Sequence, residues 1–135
     1  MSRQEDRIQG LMATWSQLLI KWTDVVNKLY LAEDYKNFWR MIKFVIKESP
    51  KAIKEPLSGD IEKVDELLKK ARREVAKNFT SPYERARELR RQRNKIITSL
   101  GCDVWFRFHD ILDQRGYKEV KLKPVPMGFE RGLAP

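Results

Sequence analysis

Apolar residues recur at Ile8, Leu11, Met12, Trp15, Leu18, Leu19, Trp22, Val25, Val26 and Leu29, a seven-residue repeat with three apolar positions in each. A stripe that wide predicts an amphipathic helix facing a bundle core, whereas a two-position stripe would predict a coiled-coil seam. Gln17, Lys21, Asp24 and Lys28 fall between the apolar positions and keep the other side wet. A second helix is predicted after Asp34, with Tyr35, Phe38, Trp39, Ile42, Val45 and Ile46 on one side. Ser49-Pro50 should end it, because proline disfavours helical geometry in the residue before it. The stretch SPKAIKEPLSGD has two prolines, a glycine and no periodicity, which predicts a connection.

The apolar period resumes near Asp60. A third helix is expected to turn Ile61, Val64, Leu68, Ala71 and Val75 inward, with Leu67 beside them, and to fade around Asn78-Phe79. Ser81-Pro82-Tyr83-Glu84 is a start signal: serine at the cap, proline at the first helical position, glutamate completing a capping box. The fourth helix should run to about Leu100, where Gly101 offers a stop or a kink. Asp103 can cap a further segment with Trp105, Phe108, Ile111 and Leu112 inward, closed by Gly116. The remainder, YKEVKLKPVPMGFERGLAP, alternates briefly at Val120 and Leu122 and then carries three prolines and two glycines. The expectation is an all-α fold with a four-helix-bundle-like core over residues 1–116 and an extended C-terminal arm over 117–135.

Composition narrows the class. The chain has 135 residues, 41% hydrophobic and 35% charged, which is a folded, soluble usage for one domain. No run approaches the length a membrane span needs, and no secretory signal is recognised at the start. The single cysteine, Cys102, rules out an internal disulfide and fits a reducing compartment. Four Asn and five Gln among many Lys, Arg and Glu lean toward a heat-tolerant source.

Charge changes the picture more. Of the net +9, residues 69–95 alone contribute +8, from 11 basic and 3 acidic side chains. That concentration has the form of an electrostatic footprint. At about 100° per residue, Ala86, Leu89, Ile96, Ile97 and Leu100 centre one face of the fourth helix. Arg87, Arg91 and Lys95 recur on the opposite face, with Asn94 alongside and Arg90 nearer the edge. The third helix adds Lys69, Lys70, Arg73 and Lys77 on its own wet face. Ion pairing along the helices offers a competing account: Asp65–Lys69, Glu66–Lys70 and Glu74–Lys77 have favourable spacing, and Glu84 and Glu88 reach Arg87 and Arg91. Five acids nevertheless cannot neutralise eleven bases. Arginine also suits phosphate recognition. Arg93 points into the apolar face, where it can span the core edge or reach an acidic partner.

Candidate catalytic chemistry is thin. His109 and Cys102 lie seven residues apart, but a thiolate–imidazole pair lacks a third, orienting group, and a small buried cysteine beside Gly101 is the simpler reading. One His and one Cys do not make a metal cluster, and no glycine-rich phosphate loop follows a strand. The expectation is a protein that is not an enzyme and takes no cofactor or metal. Trp15, Trp22, Trp39 and Trp105 sit at core spacing, although the total aromatic load leaves surface to bury against other subunits.

The apolar-striped helices between Ile8 and Leu112, the 69–95 basic block and the arm ending VPMGFERGLAP together resemble the major coat proteins of filamentous archaeal DNA viruses. The resemblance implies a four-helix bundle that stacks along double-stranded DNA in the virion, with copies of itself or a related subunit as neighbours. In that arrangement Lys69, Lys70, Arg73, Lys77, Arg87, Arg90, Arg91 and Lys95 neutralise phosphates, while Phe129 and Leu133 dock on an adjoining subunit. That family's basic N-terminal arm has no counterpart in the near-neutral SRQEDRIQG, so no DNA-wrapping role passes to residues 1–10. Two other expectations stand beside the coat protein. One is a cytoplasmic DNA-binding regulator reading sequence with residues 82–100, and the other is a helical protein-interaction module.

Overall fold

The structure is a computed structural model that describes residues 3–116, with side chains from Trp15 onward; the 117–135 arm, Phe129 and Leu133 included, lies outside the described residues. Among the described residues five α-helices follow one another: α1 Arg3–Leu31, α2 Tyr35–Lys47, α3 Lys51–Asn78, α4 Pro82–Ile96 and α5 Cys102–Gln114. A π-helical turn, Ile97–Gly101, joins α4 to α5 without leaving helical backbone, so the fold is all-α and built from four rods. α1 and α2 pack antiparallel, with Trp22 edge-on to Phe44 at 5.3 Å and Tyr30 against both Tyr35 and Phe38. α3 runs back along the whole α4–α5 rod. Arg85 reaches the Ala76 carbonyl near one end, and Arg107 pairs with Asp60 at 2.6 Å toward the other. Among the described residues no helix is long and apolar enough to cross a membrane.

Leu19, Val26, Phe38, Ile42, Leu57, Trp105, Phe108 and Leu112 are fully enclosed and make one continuous core. The inner faces of α2 and α5 are those the apolar period predicts: Phe38, Trp39, Ile42, Val45 and Ile46, and Trp105, Phe108, Ile111 and Leu112. Trp39 and Trp105 are buried, while Trp15 and Trp22 are half-buried against the same core. The α1–α2 turn is closed by a Schellman arrangement, in which Asp34 N–H donates to the Leu29 carbonyl and Glu33 N–H to that of Tyr30. Glu33 takes the left-handed conformation there, at φ 57°, a place where glycine is the usual residue. The Asp34 carboxylate then accepts from Asn37 N–H and caps α2.

Two boundaries differ from the sequence expectation. Residues 51–60, expected to be a connection, are the first ten residues of α3, with Pro50 at the N-cap. Ile53 and Leu57, four apart and both buried, fasten this segment to the core. Pro56 removes one backbone hydrogen bond, to the Ala52 carbonyl, on a side exposed to water where solvent can take its place.

Gly101 is the second difference. The chain does not stop there: Gly101 has helical backbone, at φ −64°, and is the last residue of the π turn. Its place is explained by Trp39: a Cβ at Gly101 would meet the indole Cε3 at 3.2 Å. Asp103 accordingly lies in the first turn of α5 and is not its cap. The π turn also corrects phase. At about 100° per residue, the inner residues of α4 (Leu89, Arg93) and of α5 (Trp105, Phe108, Leu112) would otherwise face about one residue apart around the rod. A π turn takes up one extra residue and brings both faces onto the same core. Thr98 and Ser99 hydroxyls donate to the Asn94 and Lys95 carbonyls at 2.8 and 2.9 Å, back-bonding of the kind that loosens a regular helix here.

Candidate nucleic-acid interface

The basic residues reach the surface because α3 and α4 form a long helical hairpin. Ser81 Oγ accepts from Glu84 N–H and Pro82 begins the helix, as the start signal predicts. Arg85 secures the corner by donating to the carbonyls of Phe79 and Ala76, satisfying groups left open at the C-terminus of α3. That role has no counterpart in the charge pattern and depends on the two helices meeting.

All eight predicted cations are exposed: Lys69, Lys70, Arg73 and Lys77 on α3, and Arg87, Arg90, Arg91 and Lys95 on α4. α4 contributes no fully buried side chain at all. Leu89 and Ile96 are half-buried and Ile97 is buried, whereas Ala86, expected on the inner face, is exposed.

The ion pairs only partly follow the expected spacing. Lys69 pairs with Glu66 at 3.5 Å, and Arg91 grips Glu88 through two hydrogen bonds, from Nε at 3.2 Å and from Nη2. The Arg91 bonds, with another from Gln92, hold the Glu88 carboxyl down to about 2. Both pairs are on the surface, where such contacts add little stability. The expected Asp65–Lys69 pair does not form. Asp65 turns to α2, accepting from Trp39 Nε1 at 2.9 Å and from Lys43 at 3.2 Å. A buried indole N–H needs an acceptor more than a solvated ammonium needs a counterion, which explains the choice. Lys70, Arg73, Lys77, Arg87, Arg90 and Lys95 form no ion pair among the described residues. These rows therefore present repeated positive charge to water.

α2 adds cations that the charge balance of the sequence conceals. Lys36, Arg40 and Lys43 lie on the side of α2 that borders α3 and α4, although residues 32–50 carry almost no net charge. Their four- and three-residue spacing was the available signal. Arg93, set apart in the sequence as inward, does lie at the core edge with Nε buried.

Cys102 and His109 sit in the core region of α5. Burial pushes the Cys102 thiol well above its usual range, with Asp103 adding to the rise. His109 stands edge-on to Trp105 at 4.7 Å, and burial lowers its pKa to about 4, partly offset by Asp113 and Asp110. Both groups are held neutral, the reverse of the charged pair that nucleophilic catalysis requires. Comparisons with protein-family models, curated proteins and solved structures find no match to this chain.

Proposed function

We propose that this chain is a non-enzymatic structural protein that coats double-stranded DNA, gripping it through sequence-independent phosphate contacts and assembling with copies of itself or a related subunit. The observation that carries the reading is the exposure of all eight cations on the α3–α4 hairpin, six of them without an ion pair among the described residues. Like charges four apart, such as Arg87–Arg91 and Arg91–Lys95, repel along a free helix, and a phosphate backbone lying over them removes that cost. The apolar side chains left at the surface by α1 and α2, Leu18, Val25 and Phe44, supply area for contact between subunits. On this reading the protein works in a virion, as the resemblance to filamentous archaeal virus coat proteins implies.

Titrating labelled duplex at several salt concentrations tests the interface. With about six phosphates engaged, the log–log slope should be roughly −5, and R87Q/R91Q/K95Q should make it shallower by about 2 to 3. A flat salt response sinks the nucleic-acid reading. Negative-stain imaging should show filaments whose formation is indifferent to DNA sequence, whereas preference for one site without filaments would favour a regulator.

A further inference from the structure

A groove of about 410 Å³ opens between α2, α3 and α4, on a side of α4 away from the Arg87–Arg91–Lys95 row. Its walls carry Lys36, Arg40, Lys43, Lys69, Arg72 and Arg93, and one acid, Asp65. That carboxylate is already engaged by Trp39 Nε1 and Lys43. Leu68, Leu89 and Ile97 add apolar surface to the lining. Arg93 stands out among the cations. It is half-buried, and its Nε is enclosed with no hydrogen-bond partner among the described residues. Burial, with Arg90 nearby, works against its charge, and Asp34 offsets this only in part.

We propose that this groove is a binding site for an organic phosphate, with Arg93 as the residue that anchors the phosphate. A guanidinium half withdrawn from water, with an enclosed N–H left unpaired, gains when an anion supplies the missing acceptor. The planar fork of arginine matches two phosphate oxygens, and Arg40, Arg72 and Lys36 can share a second negative charge that a carboxylate would not provide. The volume lies within the range of small-ligand pockets, and the apolar surface suits the organic part of the ligand. The phosphate comes either from a small phosphorylated molecule or from a nucleic-acid backbone. The site stands independently of the outer rows, with which it shares only Lys69.

The test follows the Arg93 Nε–H and Trp39 indole cross-peaks by NMR while AMP, and separately a 12-bp DNA duplex, is added at constant ionic strength. A saturable shift of the Arg93 signal with AMP supports the site and assigns it to small phosphates. A shift with the duplex alone supports it and assigns it to the nucleic-acid backbone. For whichever probe binds, R93Q should weaken groove binding about tenfold, the loss expected for a charge-assisted hydrogen bond. R72Q serves as a second variant should R93Q fold poorly, and R87Q/R91Q/K95Q should leave the Arg93 response to AMP unchanged. An Arg93 signal that moves with neither probe overturns the proposal, as does undiminished binding by folded R93Q.

Discussion

α4 and α5 are halves of one rod, yet they share almost nothing in how they meet the rest of the molecule. α5 buries Cys102, Val104, Trp105, Phe108, Ile111 and Leu112, whereas α4 buries no side chain fully and carries five arginines and a lysine. One half is held by apolar packing. The other is held mainly by its attachment to that half and by the hairpin with α3. The lesson is that a small bundle can display a dense set of like charges when the same helix is anchored elsewhere, because the core lowers the free energy that repulsion raises.

The sharpest way to test that division is truncation on each side of the π turn. Phe108→Ala should cost about 3–5 kcal/mol, while Leu89→Ala, half-buried on α4, should cost only about 1 kcal/mol. Urea unfolding followed by tryptophan fluorescence measures both, and similar losses would erase the distinction. Acid should act next, and again through α5. The folded pKa of His109 is about 4 against 6.5 unfolded, so the native state takes up fewer protons between these values. Its stability contribution is complete above pH 6.5 and falls as the pH drops toward 4, by about 3 kcal/mol. Comparing urea midpoints at pH 7.5 and 4.5 should show a smaller fall in H109Q than in the wild type; equal falls would refute the assignment.

At the junction itself, Gly101→Ala should destabilise by about 1 kcal/mol, the helix-propensity gain being outweighed by crowding against Trp39. The indole cannot easily move aside, since Asp65 holds its Nε1. A stabilised variant would mean that the ring shifts freely. The smallest effect belongs to the outer row. R87Q/R91Q/K95Q should alter stability by no more than about 0.5 kcal/mol, because the lost Glu88–Arg91 pair is offset by relieved repulsion. A larger loss by thermal or urea denaturation would show that the row holds α4 in place.

What was legible in the sequence follows the same division. The inner faces of α2 and α5 could be read from periodicity because those residues are buried almost without exception. The start of α4 could be read from Ser81 and Pro82 because a cap acts within one turn. The start of α3 could not: Pro56 and Gly59 are local signals for a break, and burial of Ile53 and Leu57 against distant helices overrides them. Glu33 likewise hides a left-handed turn behind a residue that seldom adopts one. At the interface, the α3 and α4 rows were visible as a charge excess. The groove was not, because Lys36, Arg40 and Lys43 come close to Arg72 and Arg93 only after three helices have packed.

The π turn carries one further implication, for change in the chain's length. Substitutions on α4 alter which charges are displayed. Loss of the one residue that the π turn absorbs would leave a regular α-helix in the same phase, whereas gain of a further residue between Ile96 and Cys102 would swing the whole set by about 100° around the rod. Substitution is therefore free to retune the basic surface one position at a time, and an added residue in the turn redirects that surface all at once.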